Sequence, residues 1–274
     1  MRRTFDTPAP TSVYVEIGTG RVAVHATPTE TTEVEVEGRH TDDVTVEQQG
    51  DQIVVIGPRR AGFLPFGNDN DLVVTVTLPL DSELSTKLGS ADVRASGRLG
   101  AVRVKCGSGD VSLDEVGQDT VVQTGSGDVR LDTARGDLRV KTGSGSTQLG
   151  LVTASTVVVS GSGRIVIDSA AGETVAKSGS GDVRIGSTDH HVSMTSGSGD
   201  LEVVSISRGS VKAKTASGDV AVGVPAGVPV WTDVSTVTGD VSSNLEGAGR
   251  PEDGQDHVEI RATSVSGDVV LTQL

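Results

Sequence analysis

Residues 107–131 read Gly107-Ser108-Gly109-Asp110-Val111-Ser112-Leu113-Asp114-Glu115-Val116-Gly117-Gln118-Asp119-Thr120-Val121-Val122-Gln123-Thr124, then Gly125-Ser126-Gly127-Asp128-Val129-Arg130-Leu131, so the motif returns after 18 residues. The interval persists: Gly107, Gly125, Gly143, Gly161, Gly179 and Gly197 each open a Gly-Ser-Gly triplet, and successive members are 18 residues apart. Identical triplets at a fixed interval are the mark of a repeat architecture. Looser copies at Ala91-Asp92-Val93, Gly218-Asp219-Val220, Gly239-Asp240-Val241 and Gly267-Asp268-Val269 extend the series, which covers at least residues 89–241.

Within each unit the apolar residues alternate as they do on a strand, where residues two apart share a face. A first strand carries Val111/Leu113, Val129/Leu131, Thr147/Leu149, Ile165/Ile167, Val183/Ile185 and Leu201/Val203. A second carries Thr120/Val122, Leu138/Val140, Thr156/Val158, Thr174/Ala176 and Val192/Met194. A small residue, Cys106, Thr124, Thr142, Ser160, Ser178 or Ser196, precedes each triplet and marks a corner. An antiparallel meander built from such units leaves one apolar face in need of a second layer. A parallel solenoid closes its own core by stacking like on like about 4.8 Å apart. The expected fold is therefore all-β: a single-chain β-solenoid, parallel β-helix-like, with 18-residue coils and irregular strand-rich caps. Gly18-Thr19-Gly20-Arg21-Val22 copies the form of Gly161-Ser162-Gly163-Arg164-Ile165, and alternating runs follow at 32–37, 43–47, 52–56 and 72–78. These features divide the chain into an irregular cap with first coils (1–85), the regular solenoid (86–245), and a polar loop with closing strands (246–274), all in one continuous domain.

Composition agrees with strands: 45 Val stand against 16 Leu and 8 Ile, and aromatic residues make up only 2%. That is a β-former's vocabulary and excludes a helical bundle. The formal charge of −14 argues against a general grip on nucleic-acid phosphates. Cys106, the only cysteine, permits neither an internal disulfide nor a cysteine-based zinc site within one chain. Arg2 and Arg3 precede no apolar segment of signal-peptide type, and no run approaches a membrane span. The expectation is a cytoplasmic protein without membrane insertion, or a cell-surface one if a leader has been removed.

Three surfaces are candidates for function. Asp92, Asp110, Asp128, Asp182, Asp200 and Asp219 follow the Gly-x-Gly corners, with Ser146 and Arg164 interrupting the column. Carboxylates stacked one per coil repel by about 1 kcal/mol per pair even in water. A cation would relieve them, which makes Asp110, Asp128, Asp182 and Asp200 weak metal candidates, although calcium asks for six to eight oxygens. Asp after Gly also caps turns by accepting backbone N–H groups. The second surface is basic: Arg103 and Lys105, Arg139 and Lys141, Lys177, then Lys212 and Lys214 flank the core residues of the second strand on the outward side. It reads either as a solvated face or as a docking strip for an acidic partner or a second copy. The third is the loop with Arg59, Arg60, Phe63 and Phe66, which would either touch a partner or cover an exposed side of the solenoid. Asp189-His190-His191 is expected to be a turn, because neighbouring strand residues face opposite ways and cannot easily share one metal. Gly-Ser-Gly-Asp-Val is not a phosphate-binding loop, since no helix follows it. No catalytic residue, cofactor or metal site is assigned.

Phe5-Asp6-Thr7-Pro8, the repeated Ser-Gly-Asp-Val and the closing Val265-Ser266-Gly267-Asp268-Val269 resemble the Toastrack family of bacterial β-solenoid domains. The resemblance spans most of the chain and implies a domain without established catalytic residues, of a kind often labelled "putative adhesin". Some relatives are joined to membrane helices in envelope-stress systems, so a sensor role would need a separate membrane partner. The function expected is a non-enzymatic scaffold that binds another protein or itself. The alternatives are an end-to-end filament and a polysaccharide-acting β-helix enzyme, the last disfavoured by one Trp and one Tyr in the whole chain.

Overall fold

Val, Ile and Thr are stiff at χ1 and pack well on a pleated surface, so a repeat rich in them settles into short strands whose alternate residues are buried. The structure, a computed structural model, describes residues 1–58, 71–246 and 256–274. Two compact units are present, Met1–Asp137 and Leu138–Leu274. The first contains β1 (Arg2–Asp6), β2 (Ser12–Thr27), β3 (Thr31–Glu37), β4 (Thr45–Gln49), β5 (Gln52–Ile56), β6 (Asp71–Pro79), β7 (Glu83–Leu99), β8 (Val102–Cys106), β9 (Val111–Val116), β10 (Thr120–Thr124) and β11 (Val129–Ala134). The second contains β12 (Leu138–Thr142), β13 (Thr147–Val152), β14 (Thr156–Ser160), β15 (Ile165–Ala170), β16 (Thr174–Ser178), β17 (Val183–Thr188), β18 (Val192–Ser196), β19 (Leu201–Ile206), β20 (Gly209–Lys214), β21 (Val220–Val224), β22 (Val230–Thr236), β23 (Val241–Ser243), β24 (Val258–Ser264) and β25 (Val269–Gln273).

A regular coil is a five-residue strand, the Gly-Ser-Gly corner, a six-residue strand and a second turn. In each unit the five-residue strands stack into a front sheet and the six-residue strands into a back sheet, parallel and in register. Val122 pairs with Val104 and Leu131 with Leu113 in the first unit; Val158 pairs with Ala176 and Ile167 with Ile185 in the second. The β-solenoid expected from the 18-residue period is the fold observed, with Leu131 and Val140 in the interior at 2% and 0% exposure. Each fully buried Leu, Ile or Val contributes roughly 1.5–3 kcal/mol.

The corners show why the triplet is invariant. The first glycine donates its N–H to the carbonyl of the corner below, Gly125 to Gly107 at 2.9 Å and Gly197 to Gly179 at 3.0 Å. At the second glycine the backbone below comes closer still. A Cβ on Gly127 would lie 1.8 Å from the Gly109 carbonyl oxygen, and one on Gly181 would lie 2.1 Å from that of Gly163. The small residue before the triplet accepts the second glycine's N–H: Gly127 to Thr124 (3.1 Å), Gly163 to Ser160 (2.9 Å), Gly181 to Ser178 (2.7 Å) and Gly199 to Ser196 (2.8 Å). The Ser196 hydroxyl then donates to the Gly181 carbonyl at 3.3 Å, as Thr215 does to Gly199 at 3.2 Å. Cys106 occupies the same column, its sulfur accepting from Gly109 at 3.0 Å and donating to Ala91 at 3.3 Å.

The chain does not stack in sequence order at its ends. In the first unit β2 lies between β7 on one side and β5 and β6 on the other, parallel to all three. Antiparallel β4 and β3 then border β5 and β6, and β1 borders β3. In the second unit β24 lies between β20 and β22, and β25 between β21 and β23. β24 and β25 are thus penultimate layers with β22 and β23 outside them, whereas β2 lies deeper, inside β5 and β6 and the antiparallel strands that border them. Asp81, at φ 63°, turns the chain from β6 into β7, and its carboxylate accepts from Arg98 at 2.6 and 2.7 Å. Trp231 faces outward: it is 51% exposed, with the Arg261 guanidinium 5.4 Å from its ring centre.

Thr147 interrupts an aliphatic column at 1% exposure, and its hydroxyl has no hydrogen-bond partner among the described residues. Thr147→Val keeps the shape and removes an unsatisfied polar atom, so it should raise stability by about 1 kcal/mol in denaturant titrations. Gly127→Ala, by contrast, forces a Cβ into a backbone carbonyl and should cost at least about 3 kcal/mol. Cys106→Ser preserves the corner's donor and acceptor and should unfold within about 1 kcal/mol of the parent.

Candidate interaction faces

On the front sheet, residues between the inward ones point to solvent. In the second unit the outward pairs run Arg139 and Lys141 on β12, Val157 and Val159 on β14, Val175 and Lys177 on β16, Ser193 and Thr195 on β18, and Lys212 and Lys214 on β20. All five cations are exposed. None of the ion pairs among the described residues involves them. The five strands contain no Asp or Glu, in a chain with 37 acidic residues. In the first unit Arg103 and Lys105 occupy the same outward positions on β8, above Val121 and Gln123 of β10.

The back sheet treats its charges differently. Arg130 bonds Asp132 at 3.1 Å, Arg135 bonds Glu115 at 2.8 Å, and Arg184 pairs with Glu202 across two coils. These three cations are matched locally, whereas the five on β12, β16 and β20 face the solvent; farther along the front sheet, Arg261 on β24 again pairs with Glu259.

The aspartate column turns out to be a ladder between coils. Asp110 donates its backbone N–H to Asp92 Oδ1 at 3.0 Å, and Asp128 donates to Asp110 at 2.9 Å. Asp200 donates to Asp182 at 3.2 Å, Asp219 to Asp200 at 2.9 Å, Asp268 to Asp219 at 2.8 Å and Asp240 to Asp268 at 2.9 Å. Each of the six accepting carboxylates, those of Asp92, Asp110, Asp182, Asp200, Asp219 and Asp268, has one oxygen committed to a neighbouring backbone N–H, and Arg164 reaches the other oxygen of Asp182 at 3.3 Å. Among the described residues no group of three or more His, Cys, Asp or Glu is placed to hold a metal ion. The ladder could be anticipated from Asp following Gly at each corner, but its direction, from one coil to the next, could not.

Other candidates separate. Arg59, Arg60, Phe63 and Phe66 lie outside the described residues, as does most of the polar loop, 247–255. A cleft of about 380 Å³ in the first unit is lined by Glu16, Ile17, Ile56, Gly57, Lys87 and Leu88. Its lysine is neutralised, because Lys87 donates to Glu16 at 2.9 Å, and Tyr14 donates to the other oxygen of Glu16 at 2.7 Å. Burial and that bond push the Tyr14 hydroxyl up to about 12. Asp189, His190 and His191 form the bend between β17 and β18, with His190 Nδ1 2.8 Å from Asp189 and His191 Nδ1 2.9 Å from Ser210. The two imidazoles have different partners, as a turn implies.

The His190 hydrogen bond, then its charge and that of Arg208, hold the Asp189 carboxyl below its ordinary 3.8. A carboxyl lowered in the folded state stabilises above its unfolded pKa, and that contribution is lost as pH falls through the folded value. Acid unfolding below about pH 4 should therefore be flatter in Asp189→Asn, measured by circular dichroism against the parent.

No helix among the described residues is long and apolar enough to cross a membrane. No curated protein matches the chain significantly. The crystal structure of a "putative adhesin" from Bacteroides fragilis is 12% identical at a TM-score of 0.42, covering 100% of this chain and 96% of that one. A "putative lipid binding protein" from Parabacteroides distasonis is 14% identical at a TM-score of 0.43, covering 98% and 96%. A "putative adhesin" from the same organism is 13% identical at a TM-score of 0.40, also covering 98% and 96%. The sequence profile of the Toastrack DUF4097 family matches residues 12–135 and again residues 118–272. With corner glycines, aspartate ladder and in-register coils running through both matched stretches, the chain belongs to the Toastrack DUF4097 family.

Proposed function

We propose that this protein is a non-enzymatic scaffold that binds another protein, or a second copy of itself, through the cationic face of its front sheet. One observation carries the reading: five strands of the second unit present five exposed cations and no acid, with no ion pair among the described residues. A solvated surface on a chain of charge −14 has acids in plenty with which to neutralise such a row, and the back sheet does so. Leaving a set of like charges unpaired costs self-repulsion in the free molecule and favours an acidic partner, which supplies complementarity and steers encounter. Family membership fits an adhesin-like contact or attachment to an envelope-stress system through a separate membrane partner.

A second reading, end-to-end assembly, is favoured by the outermost strands β22 and β23. Val241 is 48% exposed and Val230 and Val234 half-buried, whereas Val269, Val258 and Ala262, to which they are paired, are at 0%.

Poly-L-glutamate is a defined probe of the first reading. At low ionic strength the parent should retain it, and Lys141, Lys177 and Lys214 changed together to Glu should weaken retention by about tenfold or more. Reversal of Arg130 and Arg184 on the back sheet should change it little. Equal binding by the front-face variant, with its circular dichroism intact, would remove the basis of the proposal.

A further inference from the structure

Three lysines of the second unit, Lys141, Lys177 and Lys214, stand at one register position on alternate strands. Lys141 pairs with Val159, Val159 with Lys177, Lys177 with Thr195, and Thr195 with Lys214. With strands about 4.8 Å apart, this makes a row of ammonium groups every ~10 Å. Five residues after each position in the first four coils, around the Gly-Ser-Gly corner, comes the residue of the corner column: Ser146, Arg164, Asp182 and Asp200, with Asp219 holding that place after Lys214.

Face and corner are correlated coil by coil. Lys141 shares its coil with Ser146, Val159 with Arg164, Lys177 with Asp182, Thr195 with Asp200, and Lys214 with Asp219. No coil carries a cation at both places, and the single cationic corner belongs to the coil whose face is valine.

Resting on the reading above, we propose that the acidic partner is a second copy of this chain, lying alongside with its second unit parallel and related by a two-fold axis along the stacking direction. Under that symmetry each coil meets the same coil of the partner at the same height. Because face and corner are adjacent around the coil, the face of one copy then meets the corner of the other. Lys177 is set opposite the partner's Asp182 and Lys214 opposite the partner's Asp219, with the reciprocal pairs completing four. Lys141 falls opposite a serine and Arg164 opposite the valines, so no coil sets like charges face to face, and the Asp182 carboxylate that Arg164 reaches at 3.3 Å is shared between Arg164 and the partner's Lys177. An unrelated acidic protein has no reason to share the coil repeat. A second copy shares it automatically, so the match does not drift along the stack.

Five strands of about five residues each present about 24 by 17 Å, roughly 400 Å² per copy. That is half of the ~800 Å² per partner of a standard stable interface. Exposed ion pairs are individually weak and screened by salt. The association is therefore weak, reversible and steeply salt-dependent.

Sedimentation of the full chain over roughly ten to several hundred micromolar should show dimers at low salt, with an association constant falling about tenfold or more by ~0.5 M salt. Lys177→Glu with Lys214→Glu should sediment as monomer. Asp182→Lys with Asp219→Lys should do the same, and mixing these two variants should restore dimers, since every pair is then opposite again. The aspartates also accept backbone N–H groups, so Asp182→Asn with Asp219→Asn serves as a second test that keeps the acceptor and removes the charge; it too should weaken the dimer. A parent that stays monomeric, a dimer indifferent to these changes, or a folded mixture that fails to associate would each overturn the inference. If poly-L-glutamate retention still depends on the front-face lysines in any of those cases, the cationic-face reading survives and only the second copy is excluded. If it does not, both fall.

Discussion

The whole arrangement depends on one close approach, in which the carbonyl of a corner's second glycine occupies the space that a Cβ in the next corner would need. At Gly127 the distance from that hypothetical Cβ to the oxygen is 1.8 Å, so only hydrogen fits. With the corners nested so tightly, the strands on either side have no freedom to slip by a residue, and slippage would turn every inward side chain outward. The neighbouring Ser, Thr or Cys completes the constraint. It takes up the glycine N–H that would otherwise be buried without a partner, and in several coils it returns a hydrogen bond to the coil below. A thiol at Cys106 performs both tasks, which explains why cysteine interrupts a column otherwise made of hydroxyls.

Much of this was legible in the sequence, because a repeat writes the same local rule many times. The fixed interval gave the coil, the alternation of Val111 and Leu113 against Ser112 gave the inward face, and the residue before Gly107 or Gly125 gave the corner. Legibility fails where neighbours in space are distant along the chain. Nothing in residues 12–27 shows that they pair with both 52–56 and 83–88, since a Val-rich strand offers the same edge to either neighbour. The placement of 258–264 beside both 209–214 and 230–236 is equally silent locally. Trp231 shows the limit for side chains: its place on the outward side of β22 follows from register alone.

The distribution of charge adds what the backbone alone does not. Aspartates at the corners are held by main-chain amides, and arginines on the back sheet by nearby carboxylates, so most of the ordered charge contributes to the stack itself. The front-sheet lysines of the second unit contribute nothing of the kind. They mark a surface whose chemistry is directed away from the molecule, in a family whose shared residues concern turns rather than reactions.

The order of layers near the chain ends bears on how the protein is made. Residues 12–27 leave the ribosome early, yet the strands that flank them extend as far as residue 96, so the first of these strands must wait, solvated, for its neighbours to be synthesised. The last strands face the converse problem, for they come to rest between two layers already translated. A strand sandwiched in this way has ladders along both its edges. A tensile load applied there must shear two rows of hydrogen bonds at once, where a simple sequential stack would let its final coil unzip one strand at a time.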